Sequence, residues 1–396
     1  VVDGVIDIYP DPVEPWKLPF EPEKMNRLLG MDIPEERMLE YFGRLGLSYD
    51  MNQNELTIPT FRQDLHCMAD LAEEVARLYG YDKLPSTLPR GEATVGKKQF
   101  HMLVEDVVRD VCENNGFSGG MTYSFESPKV YDKLLIPQDS DIRKAIVIAN
   151  PLGEDFSIMR TISLNGMITS LATNYNRRNK EARLYEIGNI YLPKQLPLTE
   201  LPEERKMLTL GMYGQCDFFH MKGVLEELFE KLGLHHAFTY NPKGGYPFLH
   251  PGRQAAIQNG EDVIGYIGQL HPEVVENYDM KGEVYVAVVD LPKLTALASF
   301  DRKYEGIAKF PASTRDLSMV MSKEIFVGQV EAVIKKYGGK LLENYELFDV
   351  YEGEQVGHGK KSVAYTLTFR AKDRNLEANE VNAIVDKIVE ALKELG

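Results

Sequence analysis

The sequence is poor in cysteine, has no long apolar run, and carries fewer basic than acidic residues. Its three cysteines, Cys67, Cys112 and Cys216, are far apart and odd in number, which excludes a disulfide scaffold and fits reduced thiols in the cytoplasm. No apolar stretch approaches the roughly 20 residues of a membrane span. The net charge of −15 argues against a protein that coats nucleic acid by bulk attraction, although one basic face is compatible with it.

Several familiar signatures of catalysis and metal binding are missing too. The sequence contains no P-loop, no nucleophile elbow and no zinc signature. His66 and Cys67 have no second pair at zinc spacing, so we interpret them as incidental. His250 and His271 each precede a proline, and we interpret both as structural. The remaining information about function lies in the order of the domains. A chain of 396 residues, 43% of them apolar, is long enough for two to four domains with their own cores.

Four carboxylates gather in residues 59–85, where an apolar strand is followed by a charged loop and a helix. They are Asp64, Asp70, Glu73 and Glu74. Like charges at this spacing repel one another and require an arginine, a helix N-terminus or a cation nearby. Hard oxygen ligands of this kind suit magnesium. The alternative, which the spacing alone favours, is that Asp70 caps the helix and Glu73 completes a capping box.

The first part of the chain divides into a linker and a small domain. Residues 1–20 alternate apolar side chains and then carry four prolines. This pattern predicts the final strand of a preceding domain, formed by Val2, Val5, Ile6 and Ile8, followed by a stiff linker, within a longer polypeptide. In residues 21–91 we expect a helix over 34–45, a strand over 56–58 and a helix after Asp70, which together make one compact domain.

Residues 97–298 have the pattern of a larger α+β domain. Helices are predicted over residues 97–115, 163–174 and 221–232. Strands are predicted over residues 145–149, 206–213, 255–258, 263–267 and 283–291. Because hairpin-joined strands alternate with helices, we expect an antiparallel sheet flanked by helices.

Residues 307–396 follow the order β-α-β-β-α. The predicted strands are 316–321, 341–351 and 361–371, and the predicted helices are 327–337 and 377–395. This is the order of a ferredoxin-like split βαβ module that lacks its final strand. In the third strand apolar and polar residues alternate, so one face should pack on the helices while the other stays polar.

This last domain also carries clustered bases although it is nearly neutral, with a net charge of −1 over residues 308–396. The bases are Lys360, Lys361, Arg370, Lys372 and Arg374. An open polar sheet face that bears arginine is a suitable platform for single-stranded bases. The alternative is an ordinary solvated sheet.

Several motifs resemble the β subunit of bacterial phenylalanyl-tRNA synthetase, and together they span almost every residue after about 20. They are R-x-D-x5-D-L-x-E-E-x-x-R-x-Y-G-Y from residue 62, M-R-T-I-S-L from 159, R-L-Y-E-I-G from 183, H-P-G-R from 250, G-Y-I-G-Q-L-H-P from 265, R-D-L-S from 315, L-F-D-V-Y-E-G from 347 and G-K-K-S-V-A from 359. The resemblance implies a winged-helix-like domain, a catalytically degenerate class II synthetase-like domain and a C-terminal ferredoxin-like anticodon-binding domain.

The same resemblance implies a function. The family's β subunit scaffolds a catalytic α subunit, which uses ATP, in an α2β2 heterotetramer, and it binds tRNA(Phe). In the family the acids that match Asp64, Asp70, Glu73 and Glu74 bind Mg²⁺ at the contact with the α subunit. The family's editing domain and N-terminal RNA-binding domain would lie upstream. A free-standing tRNA-binding adaptor without a synthetase partner is the alternative.

A third hypothesis, an active class II ligase, is disfavoured by the central domain. Such a site neutralises ATP phosphates with arginines and Mg²⁺. Arg183-x-x-Glu186 is only a distorted version of the arginine-x-glutamate pair of such sites. After Gly265-x-x-Gly268 no arginine occurs before Arg302, so the nucleotide-clamping arginine is absent. We therefore expect no catalytic residue in this chain.

Overall fold

The computed structural model describes residues 3–304 and 306–395. The chain divides into two compact units, and the division falls between Gly96 and Lys97. Within the described residues, no helix is long and apolar enough to cross a membrane.

The first unit is a small three-stranded sheet packed on three helices. Its elements are β1 (Trp16–Pro19), α1 (Pro22–Leu29), α2 (Glu35–Arg44), β2 (Ser48–Asp50), β3 (Glu55–Ile58) and α3 (Met68–Tyr79). The sheet is antiparallel with the order β1-β3-β2. Apolar residues at helical spacing, such as Leu71 and Val75 on α3, are fully buried in its core.

Two expectations for this unit need correction. The alternating residues Val2, Val5, Ile6 and Ile8 were expected to form a strand. Val2 lies outside the described residues, and the other three are exposed and irregular. The reason is that strand pairing begins later, at Trp16, which lies opposite Ile58. The sheet therefore starts five residues before the predicted domain boundary at residue 21. Helix α1 was not predicted. It begins at Pro22 and ends at Gly30, whose backbone has the left-handed conformation.

The central domain is built on a seven-stranded sheet. The strands of the domain, two of which (β5 and β6) lie outside this sheet, are β4 (Ser118–Gly119), β5 (Phe125–Glu126), β6 (Ile158–Met159), β7 (Ala182–Leu192), β8 (Glu203–Tyr213), β9 (Thr239–Asn241), β10 (Leu249–Asn259), β11 (Asp262–Leu270) and β12 (Val284–Asp290). Its helices are α4 (Phe100–Asn114), α5 (Val130–Lys133), α6 (Leu164–Asn176), α7 (Phe218–Lys231), α8 (Pro272–Asn277) and α9 (Leu291–Leu297). The order is β4-β7-β8-β12-β11-β10-β9; β4 pairs with β7 in parallel, and the other pairs are antiparallel.

This sheet fits the expected α+β architecture, but several of its strands differ from the prediction: the short strands β4 and β9 were not predicted. The run 145–149 is not a strand, because Val147 forms one isolated bridge with Ile158 and its side chain is exposed. The eleven-residue strand β7 was not predicted, although it contains the R-L-Y-E-I-G motif. β5 and β6 form a separate two-stranded sheet.

Side chains cover both faces of the central sheet. On β12, alternate residues point to opposite sides: Ala287 packs in one buried cluster and Val286 in another. The first cluster includes residues of α4, α7 and α9, and the second includes residues of α6 and α8. The two apolar layers explain why this long sheet is stable with helices on each side.

The C-terminal domain has the expected β-α-β-β-α order. Its elements are β13 (Ser313–Ser322), α10 (Val327–Gly338), β14 (Leu342–Tyr351), β15 (Lys360–Phe369) and α11 (Ala378–Lys393). The sheet is antiparallel with β15 in the middle, in the order β13-β15-β14. Four alternate residues of β15 are fully buried against the helices: Val363, Tyr365, Leu367 and Phe369. The predicted alternation is thereby confirmed, and one sheet face is left open.

Candidate functional sites

Arg62 is the centre of the acidic loop in the first unit. Its guanidinium donates to both carboxylate oxygens of Asp64, at 2.9 and 2.5 Å, and to Glu74 at 3.1 to 3.2 Å. Glu74 is buried and also accepts a hydrogen bond from Arg77 at 2.5 Å. The hydrogen bond from Arg62 lowers the pKa of Asp64 to about 2. Burial raises the pKa of Glu74, but hydrogen bonds from Arg77 and Arg62 outweigh it, so the net shift is downward.

Asp70 stabilises the start of α3, but not in the predicted way. The helix begins at Met68, so Cys67 is the N-cap and Asp70 is the third helical residue. The Asp70 carboxylate accepts from the backbone N–H groups of His66 and Cys67 at 2.7 and 2.8 Å. Those amide bonds lower the pKa of Asp70. The capping box therefore pairs Cys67 with Asp70, and the predicted Asp70–Glu73 box is wrong because the helix begins three residues earlier than predicted.

In this arrangement the four predicted ligands do not fit a metal ion. Asp64 and Glu74 share the guanidinium of Arg62, Asp70 faces two amides, and Glu73 is exposed. Over residues 3–304 and 306–395, no three His, Cys, Asp or Glu side chains converge on one point. An arginine and a helix N-terminus, two of the three compensating groups expected for this cluster, balance its charge. The magnesium site stays a prediction that rests on the motif.

The open face of the C-terminal sheet is acidic across its middle. Thr366 of β15 lies opposite Asp316 on one side and Glu346 on the other. The next open-face position, Ala364, lies opposite Asp349 of β14. The Thr366 hydroxyl donates to Asp316 at 2.8 Å. Sequence reasoning described this face as polar and arginine-bearing and missed its carboxylates, because their grouping depends on strand register.

The five predicted RNA-binding bases lie at the two ends of β15. Lys360 and Lys361 begin the strand, whereas Arg370 follows its last residue, about 33 Å away for ten residues of extended chain. Arg370 donates to both oxygens of Glu343, at 2.8 and 2.9 Å, and to the carbonyl of Phe310 at 2.6 Å. The five bases thus do not form one cluster.

The other two bases of the group differ in their contacts. Arg374 forms two hydrogen bonds with the carboxylate of Glu380, at 2.8 and 2.6 Å. Lys372 is exposed. Glu380 thus neutralises the charge of Arg374, whereas Lys372 faces solvent.

Exposed aromatic residues on β14 were not predicted as functional. Tyr351 lies opposite Ser362 at the open face and is 42% exposed, and Phe348, at a bulge in β14, is 56% exposed. Exposed aromatic rings beside an open sheet are suited to stack on unpaired bases. The sequence could have indicated this position, because Tyr351 follows Asp349 by two residues and such residues lie on the same face of a strand.

In the central domain, Glu186 is committed to a buried ion pair. It accepts hydrogen bonds from Arg160 at 3.1 Å and from the Thr122 hydroxyl at 2.8 Å. Arg183, the predicted partner, instead contacts the carbonyl of Asn115 at 3.4 Å. Sequence reasoning missed Arg160 because it lies 26 residues from Glu186. A glutamate held in this way is not available to bind a substrate.

The glycine-rich run and the two histidines are structural. A Cβ atom at Gly265 would lie 2.2 Å from the carbonyl oxygen of Val288 on the adjacent strand, so only glycine permits this approach. His271 caps α8, its ring nitrogen accepting from the N–H of Glu273. The His250 ring likewise accepts from the N–H of Gly252. Both histidines thus bond to the nearby backbone, as the structural interpretation expects.

Three family models match consecutive parts of the chain. The tRNA synthetase B5 domain matches residues 18–81, the phenylalanyl tRNA synthetase beta chain CLM domain matches residues 84–291, and the ferredoxin-fold anticodon binding domain matches residues 308–396. The last match confirms the predicted ferredoxin fold. The winged-helix and class II descriptions of the other two domains stay predictions.

Similar proteins carry a consistent name. The phenylalanine–tRNA ligase beta subunits of Clostridium acetobutylicum and Clostridium tetani are 43% and 42% identical to this chain over 395 residues. That of Moorella thermoacetica is 36% identical over 404 residues. Each alignment covers 99% or more of this chain but 50% of the relative. The chain thus spans about half the length of the relatives it matches.

Proposed function

This chain belongs to the family of bacterial phenylalanyl-tRNA synthetase β chains, and we propose that it works as the non-catalytic β subunit of a phenylalanine–tRNA ligase. In this role it scaffolds a catalytic α subunit, which uses ATP, and it binds tRNA(Phe) for phenylalanyl-tRNA formation. The observation that carries the non-catalytic role is the burial of Glu186 against Arg160, which are 3% and 2% exposed. Amino acid activation requires charged groups that can reach ATP and its Mg²⁺.

The C-terminal domain supplies the tRNA-binding part of this proposal. Its open sheet face offers Tyr351 for stacking, and Phe348 is exposed at the bulge of the same edge strand. Carboxylates of that face, such as Asp349, can accept hydrogen bonds from base amino groups. The bases at the ends of β15 would contact phosphates. A surface that combines stacking residues with phosphate-binding residues supports binding of the unpaired anticodon bases of tRNA(Phe), because a single-stranded loop exposes both ring faces and base edges.

The α subunit and an α2β2 heterotetramer are part of the proposal, as is Mg²⁺. Asp64, Asp70, Glu73 and Glu74 remain the candidate ligands at the α-subunit contact. In this chain Arg62 already bridges Asp64 and Glu74, so a divalent cation at that position would replace the guanidinium. A manganese soak of the assembled complex tests the site. An anomalous peak within contact distance of these carboxylates supports it, and the lack of such a peak contradicts it.

Co-purification and aminoacylation assays test the proposed role. We expect this β chain, isolated from its native host, to co-purify with a catalytic α subunit. Deletion of residues 308–396 should raise the KM for tRNA while phenylalanyl-adenylate formation by the complex stays nearly unchanged. A β subunit that binds tRNA but never an α subunit would instead support the free-standing adaptor, which the names of its relatives do not favour.

A further inference from the structure

Helix α6 of the central domain ends in an arginine that occupies a position suited to glycine. Arg177 is the C-cap residue, and Arg178, which follows it, has a left-handed backbone with a φ of 65°. The Arg178 N–H donates to the carbonyl of Tyr175 at 2.8 Å, and the Asn179 N–H donates to that of Asn174 at 3.2 Å. These two hydrogen bonds form a Schellman motif, in which glycine usually fills the left-handed position because a side chain is disfavoured there.

Three other helices of the chain do use glycine at this position. The residue after the C-cap is Gly46 in α2, Gly116 in α4 and Gly233 in α7, with φ values of 82°, 79° and 79°. At the end of α6 the sequence instead places a residue with a long side chain, which costs backbone free energy. A residue kept at such a cost indicates that its side chain has a role.

The remaining left-handed residues that carry a side chain have local reasons for it. Within residues 3–304 and 306–395 they are Asn54, Leu135, His236 and Asp279. Asparagine, histidine and aspartate are the types that adopt this conformation most readily, and Leu135 packs against a buried apolar cluster. Arg178 belongs to none of these types, and its side chain is exposed. Neither tolerance of the conformation nor burial explains the arginine.

Arg177 and Arg178 also differ in their contacts from the other arginines of residues 97–395. Each of the others donates a hydrogen bond to a carboxylate, a side-chain amide or a backbone carbonyl. The side chains of this adjacent pair donate none to any residue that the structure describes. Residues 174–180, which carry the pair, include Lys180 and no acidic residue, although the whole chain has a net charge of −15.

Hydrogen bonds hold this basic segment in one conformation. The Asn179 side chain donates to that of Asn174 at 2.8 Å, and the Tyr213 hydroxyl donates to the carbonyl of Asn179 at 3.0 Å. Together with the Schellman motif, these bonds fix the backbone from which both arginines project. A fixed backbone lowers the entropy that is lost when the guanidinium groups bind a ligand.

A cavity of about 450 Å³ lies beside Arg177. Its lining includes a second cation, three neutral polar side chains and one carboxylate: Lys133, Thr169, Thr173, Asn176 and Asp279. No large apolar side chain is exposed in the segments that line it, 129–133, 169–180 and 277–281. Arginine, lysine, threonine and asparagine are the residues that contact nucleic-acid phosphates, whereas the core of a protein interface is apolar. The surface therefore suits an RNA backbone better than a protein.

The dipole of α6 is an alternative explanation for cations at its C-terminal end. It accounts for a basic residue in the last turn, such as Arg44 in α2 and Lys231 in α7. Both of those helices nevertheless keep glycine at the left-handed position, so the dipole does not require an arginine there. The dipole explanation thus covers Arg177 but not Arg178.

We propose that Arg177 and Arg178 bind phosphates of tRNA(Phe) outside its anticodon arm. The proposal rests on the proposed function, in which the C-terminal domain binds the anticodon bases, and it adds a contact made by the central domain. Each guanidinium would neutralise one phosphate. Contacts of this kind give affinity and orientation without sequence preference.

Substitution of Arg178 by glycine tests the proposal without weakening the fold. Arg178→Gly removes the cation and relieves the backbone, so the urea midpoint of unfolding should stay the same or rise. Affinity of the full chain for a tRNA(Phe) transcript should fall about threefold at low salt. With Arg177→Gln added, the loss should reach about tenfold, and the salt slope should decrease by roughly 0.7 to 0.9 for each lost contact. A hairpin RNA with the anticodon stem-loop sequence should bind the double variant as well as the parent chain.

Two matched variants complete the experiment. Lys231→Gln with Lys243→Gln removes two exposed charges from the same domain, one of them at the end of α7, and should change tRNA binding little. Tyr351→Ala should weaken binding of both RNAs, since it removes a stacking residue of the proposed anticodon site. If Tyr351→Ala changes neither, the anticodon role fails, and this failure is distinct from that of the arginine pair.

Four results would overturn the proposal. An equal loss of tRNA affinity for the lysine pair would mean that only net charge matters, and an equal loss of hairpin affinity for the arginine pair would place its contacts on the anticodon arm. A lower urea midpoint for Arg178→Gly would show that the side chain stabilises the fold. Unchanged tRNA binding by the arginine pair, with weaker co-purification of the α subunit, would show that the surface contacts a protein.

Discussion

The guanidinium of Arg160 lies 3.1 Å from the Oε1 atom of Glu186, and both side chains are almost completely buried in the central domain. Arg160 also donates to the carbonyl of Asn189 at 2.7 Å and to the Thr122 hydroxyl at 2.9 Å. The pair thus ties β7 to the segment that follows β6. A buried pair of this kind stabilises little in comparison with apolar residues, but removal of one partner leaves an uncompensated buried charge.

Arg160→Met should therefore destabilise the protein strongly. We expect a loss of about 3–5 kcal/mol in the free energy of unfolding, measured by urea denaturation, because Glu186 would remain buried without its partner. The double variant with Glu186→Met should recover part of that loss. Arg183→Ala is the control, with a smaller expected effect, since Arg183 makes one long hydrogen bond. Equal losses for Arg160→Met and Arg183→Ala would show that the pair has no special structural role.

Glu126 should make the stability of the central domain depend on pH. Burial raises the pKa of Glu126 to about 7, and its Oε2 atom has no hydrogen-bond partner among the described residues. Because the folded state holds this proton more tightly than the unfolded state, stability falls as pH rises from about 4.5 to about 7 and then levels off. Glu126→Gln should thus stabilise the protein by up to about 3 kcal/mol at pH 8 and by little at pH 4.5.

The measurement is the difference in unfolding free energy between Glu126→Gln and the parent chain across that pH range. The amide can still accept the hydrogen bond that Asn165 donates at 3.0 Å. A pH-independent difference would mean that the carboxyl group ionises normally in the folded protein.

Arg62→Gln should destabilise the first unit. The substitution leaves Glu74 buried with only Arg77 as its partner, so we expect a loss of about 1–3 kcal/mol. The lowered pKa of Glu74 should also rise toward its ordinary value. Stability that depends on ionised Glu74 is present above pH 4.5 and is lost as pH falls through the lowered folded pKa, so the variant should lose less on acidification. Urea titrations at neutral and acidic pH measure both effects, and Arg44→Gln on α2 is the exposed control. An unchanged stability would contradict the central role of Arg62.

Tyr351→Ala should weaken RNA binding without changing its salt dependence. Loss of one stacked base costs about 1–3 kcal/mol, and stacking contributes little to counterion release. Tyr351→Phe should retain most of the affinity because the ring remains. Fluorescence anisotropy with the anticodon stem-loop at several salt concentrations separates the two terms. A reduced salt slope for Tyr351→Ala would show that this residue acts by orienting phosphate contacts.

The sequence predicted the features that depend on local pattern. The alternation in β15 and the helix that carries Leu71 and Val75 required only strand and helical periodicity. The strand expected at residues 145–149 failed because an apolar run does not reveal whether a partner strand lies beside it. α1 was missed because it is short and contains few apolar residues.

Contacts between distant segments account for the features that the sequence did not predict. The pairing of Arg160 with Glu186 depends on tertiary structure that no residue spacing reveals. The acidic middle of the open sheet arises from strand register in the same way, since Asp316, Glu346 and Asp349 come from two strands. The start of α3 was misplaced by three residues because Cys67 is a less familiar N-cap than aspartate.

Pyrophosphate exchange tests the central claim, that this chain is a scaffold without catalytic activity of its own. The purified chain is incubated with ATP, Mg²⁺, phenylalanine and labelled pyrophosphate, with and without a full-length α subunit added in trans. We predict no phenylalanine-dependent exchange by the chain alone and exchange when the α subunit is present. Exchange by the chain alone that is abolished by Arg183→Ala would show that the chain is itself catalytic.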